Sequence, residues 1–516
     1  VLSFEANAAT HFVDRHVFEG RGAAVAFIDS GTSYTYADLA RLVNQAGNLL
    51  RDRGVGRGDQ VMLCLNDGIA FPPLFFGALK IGAVPVPINT LLVAQDYDYL
   101  TRDCAPRAAV ISASLLHRLP PRFADLVDSS RIFISGGNDN RYVALNPLLA
   151  ASSNQLEPVS VTPDEVGFWL YSSGSTGGPK GVMHRHRALQ HTAELYARSV
   201  LGIRQDDVIF SASKMFFAYG LGNSCTFPLD AGATAILTAE RPTPELVLSI
   251  LRRHRVTVFF GFPTLYAAIL AAVGDEPLER LPHLRLCVSA GEALPSSVAE
   301  RWAARFGVNI LDGLGSTEAL HIFLSNRSDD FRYGTSGKPV EGYEIALRDE
   351  AGAEVRANEI GELWCRGPSI AAAYWNKVEA TERTFVRGWL RTGDKYLRDD
   401  DGYYHYTGRG DDMLKVGGVW VSPHEVESAL IAHPAVLEAA VVAHADADAL
   451  VKPKAFVVLK NPLGASPELA EQLQRFVKES IAPYKHPRWI EFRAELPKTA
   501  TGKIRRHQLR AESQNG

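Results

Sequence analysis

Short β-rich apolar runs alternate with helix-patterned stretches along most of the chain, and this alternation constrains the fold more than any other feature. Leu39, Leu42, Val43, Ala46 and Leu49 recur near the helical period after Tyr34-Thr35-Tyr36, which predicts a helix there. Gln60–Leu65 reads as a strand. Ala83–Ile88 reads as another, but Pro85 and Pro87 confine it to a sheet edge or a loop entry. Val256–Phe260 and Leu284–Ser289 have strand character, and Pro263–Val273 and Ser296–Phe306 have helical character. Such alternation builds α/β layers with mostly parallel sheet. The Ser, Asn, Gly and Pro content of 135–162 predicts a boundary loop.

The texture then changes twice. From 341 to 407 short strands and turns dominate, such as Glu362–Cys365 and Tyr403–Tyr406, and predict a β-rich subdomain. Gly408-Arg409-Gly410-Asp411-Asp412 reads as a linker. Beyond it, Ser422-Pro423-His424-Glu425 and Ser466-Pro467-Glu468 are helix starts, with Ser at the cap and Pro in the first turn. Val436–Ala443 and Ala455–Leu459 read as strands. The expected fold class is therefore α/β: a large multi-subdomain N-terminal part (1–408) with mostly parallel sheets and a β-rich subdomain, then a small α+β C-terminal domain (409–516).

Composition excludes several classes. Lys and Arg total 54 and Asp and Glu 58, a formal net charge of −4, which argues against a nucleic-acid partner. The five cysteines are scattered and form no C-x-x-C pair, which argues against a zinc ribbon and fits a reducing, cytoplasmic setting. The apolar stretch 61–89 carries Asp67, Lys80 and four prolines, so it is not read as a membrane span. Residues 1–20 are polar and charged, so no signal peptide is expected there, although the first residue is Val.

The strongest local signal is Tyr171-Ser172-Ser173-Gly174-Ser175-Thr176-Gly177-Gly178-Pro179-Lys180-Gly181, which follows the apolar run Val166–Leu170. Hydroxyls and successive backbone N–H groups can wrap phosphate oxygens, and Lys180 adds charge. It is not a Walker loop, since Lys180 follows Pro179 and precedes Gly181. Composition alone leaves a solvated Ser/Gly turn equally open.

The string resembles the phosphate loop of the adenylate-forming superfamily of acyl-CoA synthetases, luciferases and peptide-synthetase adenylation domains. Four further motifs of that family follow in order: Asp312-Gly313-Leu314-Gly315-Ser316-Thr317-Glu318, Arg391-Thr392-Gly393-Asp394, Gly408–Lys415, and Pro497-Lys498-Thr499-Ala500-Thr501-Gly502-Lys503. The resemblance covers essentially the whole chain. It implies that Ser172, Ser173, Gly174, Ser175, Thr176 and Lys180 hold ATP phosphates, with Thr317 and Glu318 at the α-phosphate and a Mg2+ ion. An oxygen pair of this kind suits a hard cation. It implies that Gly291, Glu292, Ala293, Asp312 and Gly313 run along the adenosine, and that Asp394 grips the ribose hydroxyls beside Arg409. Leu314 departs from the family's usual aromatic, so weaker stacking on adenine is expected. Lys503 is the implied catalytic cation of the adenylation step and Asp411 the implied hinge of the small domain. Lys415, Gly417 and Gly418 are the implied border of a coenzyme A tunnel.

Two aromatic and apolar segments, Lys214–Asn223 and Ala319–Asn326, resemble the acyl pockets of the superfamily, more closely those of benzoate-CoA ligases. The implied acid pocket is Phe217, Ala218, Tyr219, Gly220, Ala290, Gly315, His321 and Ile322. Phe217 stands where many relatives carry a His gate. Neither segment carries Lys or Arg beyond Lys214, so a second carboxylate on the acid would find no partner. The resemblance thus implies an ATP-dependent aryl-CoA ligase acting on benzoate through an acyl-adenylate. Its partners would be a small aromatic acid, ATP and coenzyme A, without nucleic acid or membrane, and the chain would be a monomer or homodimer. Other small acids (medium-chain, cyclic or cinnamate-like), loading of a carrier protein, and a non-catalytic ligand sensor remain as alternatives.

Overall fold

The computed structural model describes residues 7–172, 178–273, 281–410, 412–416, 419–446, 450–498 and 503–515. Three sheets build the interior of the large part. The first is a parallel five-stranded sheet in the order Val84–Pro87, Gln60–Cys64, Ala108–Ser112, Ile132–Ser135, Val143–Ala144. Pro85 and Pro87 lie on its edge strand, where a missing N–H breaks no ladder. The segment 135–162 is not one loop: it carries the last of these strands and the helix Leu145–Ala151. Its polar composition hid a short apolar run that finds cover only in the assembled core.

The second sheet has nine strands. Its centre is parallel, running Ile310–Gly315, Leu286–Ser289, Val258–Gly261, Val208–Ser211, Thr234–Leu237, Val25–Asp29. Antiparallel strands close both edges. The central strands are almost wholly buried, as parallel strands covered on both faces must be. The third sheet is antiparallel and three-stranded, pairing Val166–Ser172, Lys180–Arg185 and Ala373–Tyr374.

Helices fill the space between layers. Tyr36–Asp52 starts in a capping box: Thr35 Oγ1 accepts from the Asp38 N–H, and the Asp38 carboxylate accepts from the Thr35 N–H. It crosses Phe71–Lys80 at a pair of glycines. A Cβ on Gly77 would lie 2.8 Å from the Gly47 nitrogen, so no larger residue fits that crossing. Lys80 ends the second helix with its ammonium buried, 2.7 Å from both Asp14 Oδ1 and Asn44 Oδ1.

A β-rich layer follows, as the sequence predicts. Glu344–Arg348, Gly361–Arg366, Trp389–Arg398 and Tyr404–Arg409 form its antiparallel ladder. The small C-terminal domain then wraps the helices Pro423–Ala432, Pro467–Ser480 and Arg506–Asn515 around the strands Val436–Ala445, Val451–Leu459 and Trp489–Phe492. It has its own core of Val426, Leu430, Val441, Val457, Leu473 and Val477. Ile431 reaches across to pack against the core that holds Trp302 and Phe306 in the large part. Among the described residues, no helix is long and apolar enough to cross a membrane.

Candidate functional site

Ligands in open α/β sheets settle outside the carboxyl ends of the strands. Here those ends deliver Pro263 and Thr264 after Val258–Gly261, Gly291–Ala293 after Leu286–Ser289, and Ser316–Glu318 after Ile310–Gly315. All of them line one cleft of about 1150 Å³ between the large part and the C-terminal domain. Ser172, Lys180, Asp312, Gly313, Leu314, Gly315, Thr317, Glu318, Asp394, Arg409 and Lys503 line it too. Five motifs spread over more than 300 residues of sequence therefore meet in one space.

The ends of the phosphate-loop string are held rigidly. Ser172 and Lys180 face each other across an antiparallel pair, and the Tyr99 hydroxyl donates to the Pro179 carbonyl at 2.9 Å. Ser173, Gly174, Ser175 and Thr176 lie outside the described residues, as do Asp411, Gly417 and Gly418. Lys415 lies in the strand Leu414–Val416.

Glu318 is fixed from two sides. Its carbonyl accepts the Ala371 N–H at 2.8 Å, and its Oε1 accepts the Tyr374 hydroxyl at 2.8 Å. Burial first, and the Glu318 charge next, push the Tyr374 phenol well above its ordinary range, so it stays a donor. The Lys180 ammonium stands 5.0 Å from the centre of the same ring. Tyr374 thus couples the phosphate-loop lysine to the carboxylate. Sequence reasoning missed it, because it lies in the plain run Ala371-Ala372-Ala373-Tyr374-Trp375. No group of three His, Cys, Asp or Glu side chains among the described residues forms a metal cage. One half-buried carboxylate beside a threonine is the donor set that Mg2+ uses when substrate phosphates supply its other ligands.

Asp394 sits beside Arg409, with Oδ1 3.4 Å from Nη1. Burial raises its carboxyl above the ordinary value, while Arg409 and then Lys503 pull it back. Asp312 is buried and turned to its scaffold: Oδ2 accepts the Leu294 N–H at 3.2 Å and so holds the Gly291–Leu294 turn. Burial raises its carboxyl well above normal. Gly291 takes φ +99°, and a Cβ there would lie 3.8 Å from Lys503 Cε. The Glu292 carboxylate accepts the Ile504 N–H at 3.0 Å.

Of the residues expected to form the acid pocket, Ile322 and His321 adjoin Gly315, and Gly315 is the one that lines the cleft described above. Gly315 pairs with Ile322 across adjacent strands, and any Cβ on Gly315 would strike the His321 carbonyl oxygen at 2.7 Å. The Tyr219 hydroxyl reaches the Gly261 and Val288 carbonyls, each at 3.3 Å, just before Ala290. His321 is buried, with Nε2 3.2 Å from Asn223 Oδ1 and its ring against Phe227 and Tyr219. Burial lowers its pKa to about 3, so it is a neutral aromatic wall. Phe217 caps the short helix Ala218–Leu221 and meets Phe216 at 4.5 Å. Gly220 is forced by close approach, since a Cβ would fall 2.0 Å from the Lys214 carbonyl oxygen.

This loop has two supports that sequence reasoning read otherwise. Asp67 Oδ1 accepts the Met215 N–H at 3.0 Å. Lys214 Nζ donates to the Thr238 and Glu240 carbonyls at 2.6 and 2.8 Å. Burial raises the Asp67 carboxyl to about 6, against the pull of Lys214.

Comparison with known proteins gives the family. The pattern of the AMP-binding enzyme family matches residues 13–375, and that of the AMP-binding enzyme C-terminal domain matches 425–503. The chain is 56% identical to a benzoate–CoA ligase of Thauera aromatica, over 98% of this chain and 96% of that protein. The crystal structure of the anthranilate CoA ligase AuaEII with anthranoyl-AMP superposes with a TM-score of 0.95 at 42% identity, covering 99% of this chain and 98% of that one. A benzoate CoA ligase from Burkholderia xenovorans LB400 superposes with a TM-score of 0.90 at 47% identity, covering 98% and 100%.

Proposed function

The chain belongs to the AMP-binding enzyme family, and from that premise we propose that it is an ATP-dependent ligase joining benzoate to coenzyme A. The observation that carries the reading is the convergence of Lys503, Glu318 and Asp394 on one cleft, whose wall at Gly315 pairs with Ile322 of the apolar segment Ala319–Asn326.

The acid enters beside Tyr219 and Ile322 and is held by area and shape. Its carboxylate oxygen attacks the α-phosphorus of ATP in line. The bond to the β-phosphate oxygen breaks, pyrophosphate leaves, and benzoyl-AMP remains. Charge grows on the α-phosphoryl oxygens during this step, and the Lys503 ammonium stabilises it. Thr317 and Glu318 would hold Mg2+, which supplies charge neutralisation to the phosphates when bound. Asp394 takes the ribose hydroxyls as a double acceptor. The Gly291–Leu294 turn, pinned by Asp312, follows the adenine. In the second step the small domain turns about Asp411 and Lys503 withdraws. Lys415, Gly417 and Gly418 then border the path of the coenzyme A arm. Its sulfur attacks the acyl carbonyl, the thiol proton is lost, and AMP departs with the bonding pair. The five cysteines are buried and unpaired, in keeping with a cytoplasmic location.

The test is a panel of acids scored by pyrophosphate release and by the mass of the thioester formed with free coenzyme A. Benzoate should give the fastest release and a benzoyl-CoA product. Faster turnover of hexanoate, or an adenylate that never passes to free coenzyme A, would overturn the substrate or the acceptor.

A further inference from the structure

The single turn Gly291-Glu292 does two things at once. Gly291 lies under the stem of Lys503, while the Glu292 carboxylate accepts the Ile504 N–H across 212 residues of sequence. Ile504 is the residue after Lys503 and a rigid point of the small domain. It bridges to Lys498 and packs with the cluster of Ala440, Phe456 and Leu509. Two residues beyond Ile504, Arg506 donates to the Glu427 carboxylate at 2.7 Å. Glu292 therefore holds the backbone that carries Lys503, at the joint where the lysine projects.

We propose that Glu292 is a positioning residue: its carboxylate latches the small domain through the Ile504 N–H and so places the Lys503 ammonium for the adenylation step alone. The proposal rests on the two-step reading above. In the second step Lys503 has left, the latch is open, and Glu292 has no part. A residue needed for adenine binding or for folding would instead serve both steps.

The experiment uses the full chain with E292A and E292Q. Single-turnover benzoyl-AMP formation is measured at saturating ATP, and thioester formation is measured from supplied benzoyl-AMP and coenzyme A. A hydrogen bond to a charged acceptor predicts a loss of about tenfold or more in the first rate for E292A. The second rate and the ATP KM should each stay within about twofold, since neither draws on this bond. E292Q should recover most of the first rate, because its amide oxygen still accepts the N–H. In a K503A background, E292A should add little further loss, as expected for residues acting as a unit. Equal loss in both steps, a raised ATP KM with an unchanged saturating rate, or no loss in the first step would each overturn the latch. Absence of benzoyl-AMP with the unaltered chain would instead overturn the functional reading, and the latch with it.

Discussion

Tyr374→Phe removes one oxygen from the wall of the cleft and leaves the rest in place. The ring still packs against Phe385 at 5.3 Å and still faces the Lys180 ammonium. What is lost is the 2.8 Å donation to Glu318 Oε1. A hydrogen bond to a charged acceptor is worth about 1.5–3 kcal/mol. Glu318 is only half-buried, so water can reach the freed oxygen, and the lower end applies. That is about tenfold in rate if the bond matters fully in the transition state. The expected result is a tenfold fall in benzoate-dependent pyrophosphate release and a higher Mg2+ concentration for half-maximal rate, because an untethered carboxylate is a poorer ligand. The thermal midpoint should move by no more than ~2–4 °C, the shift for about 1 kcal/mol in a large chain. A rate within twofold of the parent with an unchanged Mg2+ dependence would refute the idea that Tyr374 aims Glu318.

Lys503→Ala should nearly abolish adenylation yet spare thioester formation from supplied benzoyl-AMP; equal loss of both would refute the division of labour between the steps. Lys80→Met leaves Asp14 as an unpaired buried carboxylate, so urea unfolding should show a loss of about 3–5 kcal/mol, partly recovered by adding Asp14→Asn. Stability should fall on acidification from pH 7 to 5.5. His16, His184 and His321 are held by burial at about 3 and His186 at about 4, so below their ordinary 6.5 the unfolded chain takes protons that the fold refuses. The raised carboxyls of Asp14, Asp67, Glu292, Asp312 and Asp394 act the other way, but His191, His254, His424, His433 and His486 are lowered as well, so the histidines prevail. A higher urea midpoint at pH 5.5 than at pH 7 would contradict this.

Periodicity and motif order made the layered α/β plan legible, because strands buried on both faces must be apolar and loops that approach phosphate must be thin. The edge position of Val84–Pro87 followed from its two prolines for the same kind of local reason. What could not be read was any bond whose partner is distant in sequence. Asp67 and Lys80 are the clearest cases. In the sequence they are charges that interrupt an apolar stretch and argue against a membrane span. In the fold both are buried, one gripping the Met215 N–H beneath the acid loop and the other paired with Asp14. Their chemistry is set by residues 148 and 66 positions away, and no local pattern encodes that.

The same limit explains why the hydrogen bonds of Glu292 and Tyr374 were not legible in the sequence. Motif reasoning assigns roles to a string as a whole, and so it placed Glu292 along the adenine with its neighbours. The fold separates backbone from side chain. The turn can serve the nucleotide while its carboxylate holds the other domain, and Asp312 can belong to a binding string while one oxygen of its carboxylate braces the next turn. A string shared by a family therefore mixes groups that touch substrate with groups that aim them. Lys503, Glu292, Asp312 and Tyr374 all line the cleft, but the Glu292, Asp312 and Tyr374 side chains also make hydrogen bonds to protein atoms: the Ile504 N–H, the Leu294 N–H and the Glu318 carboxylate. Substitutions in the second set should split kinetic steps or metal dependence rather than abolish the reaction outright, which is the pattern that the Tyr374 and Glu292 variants are designed to expose.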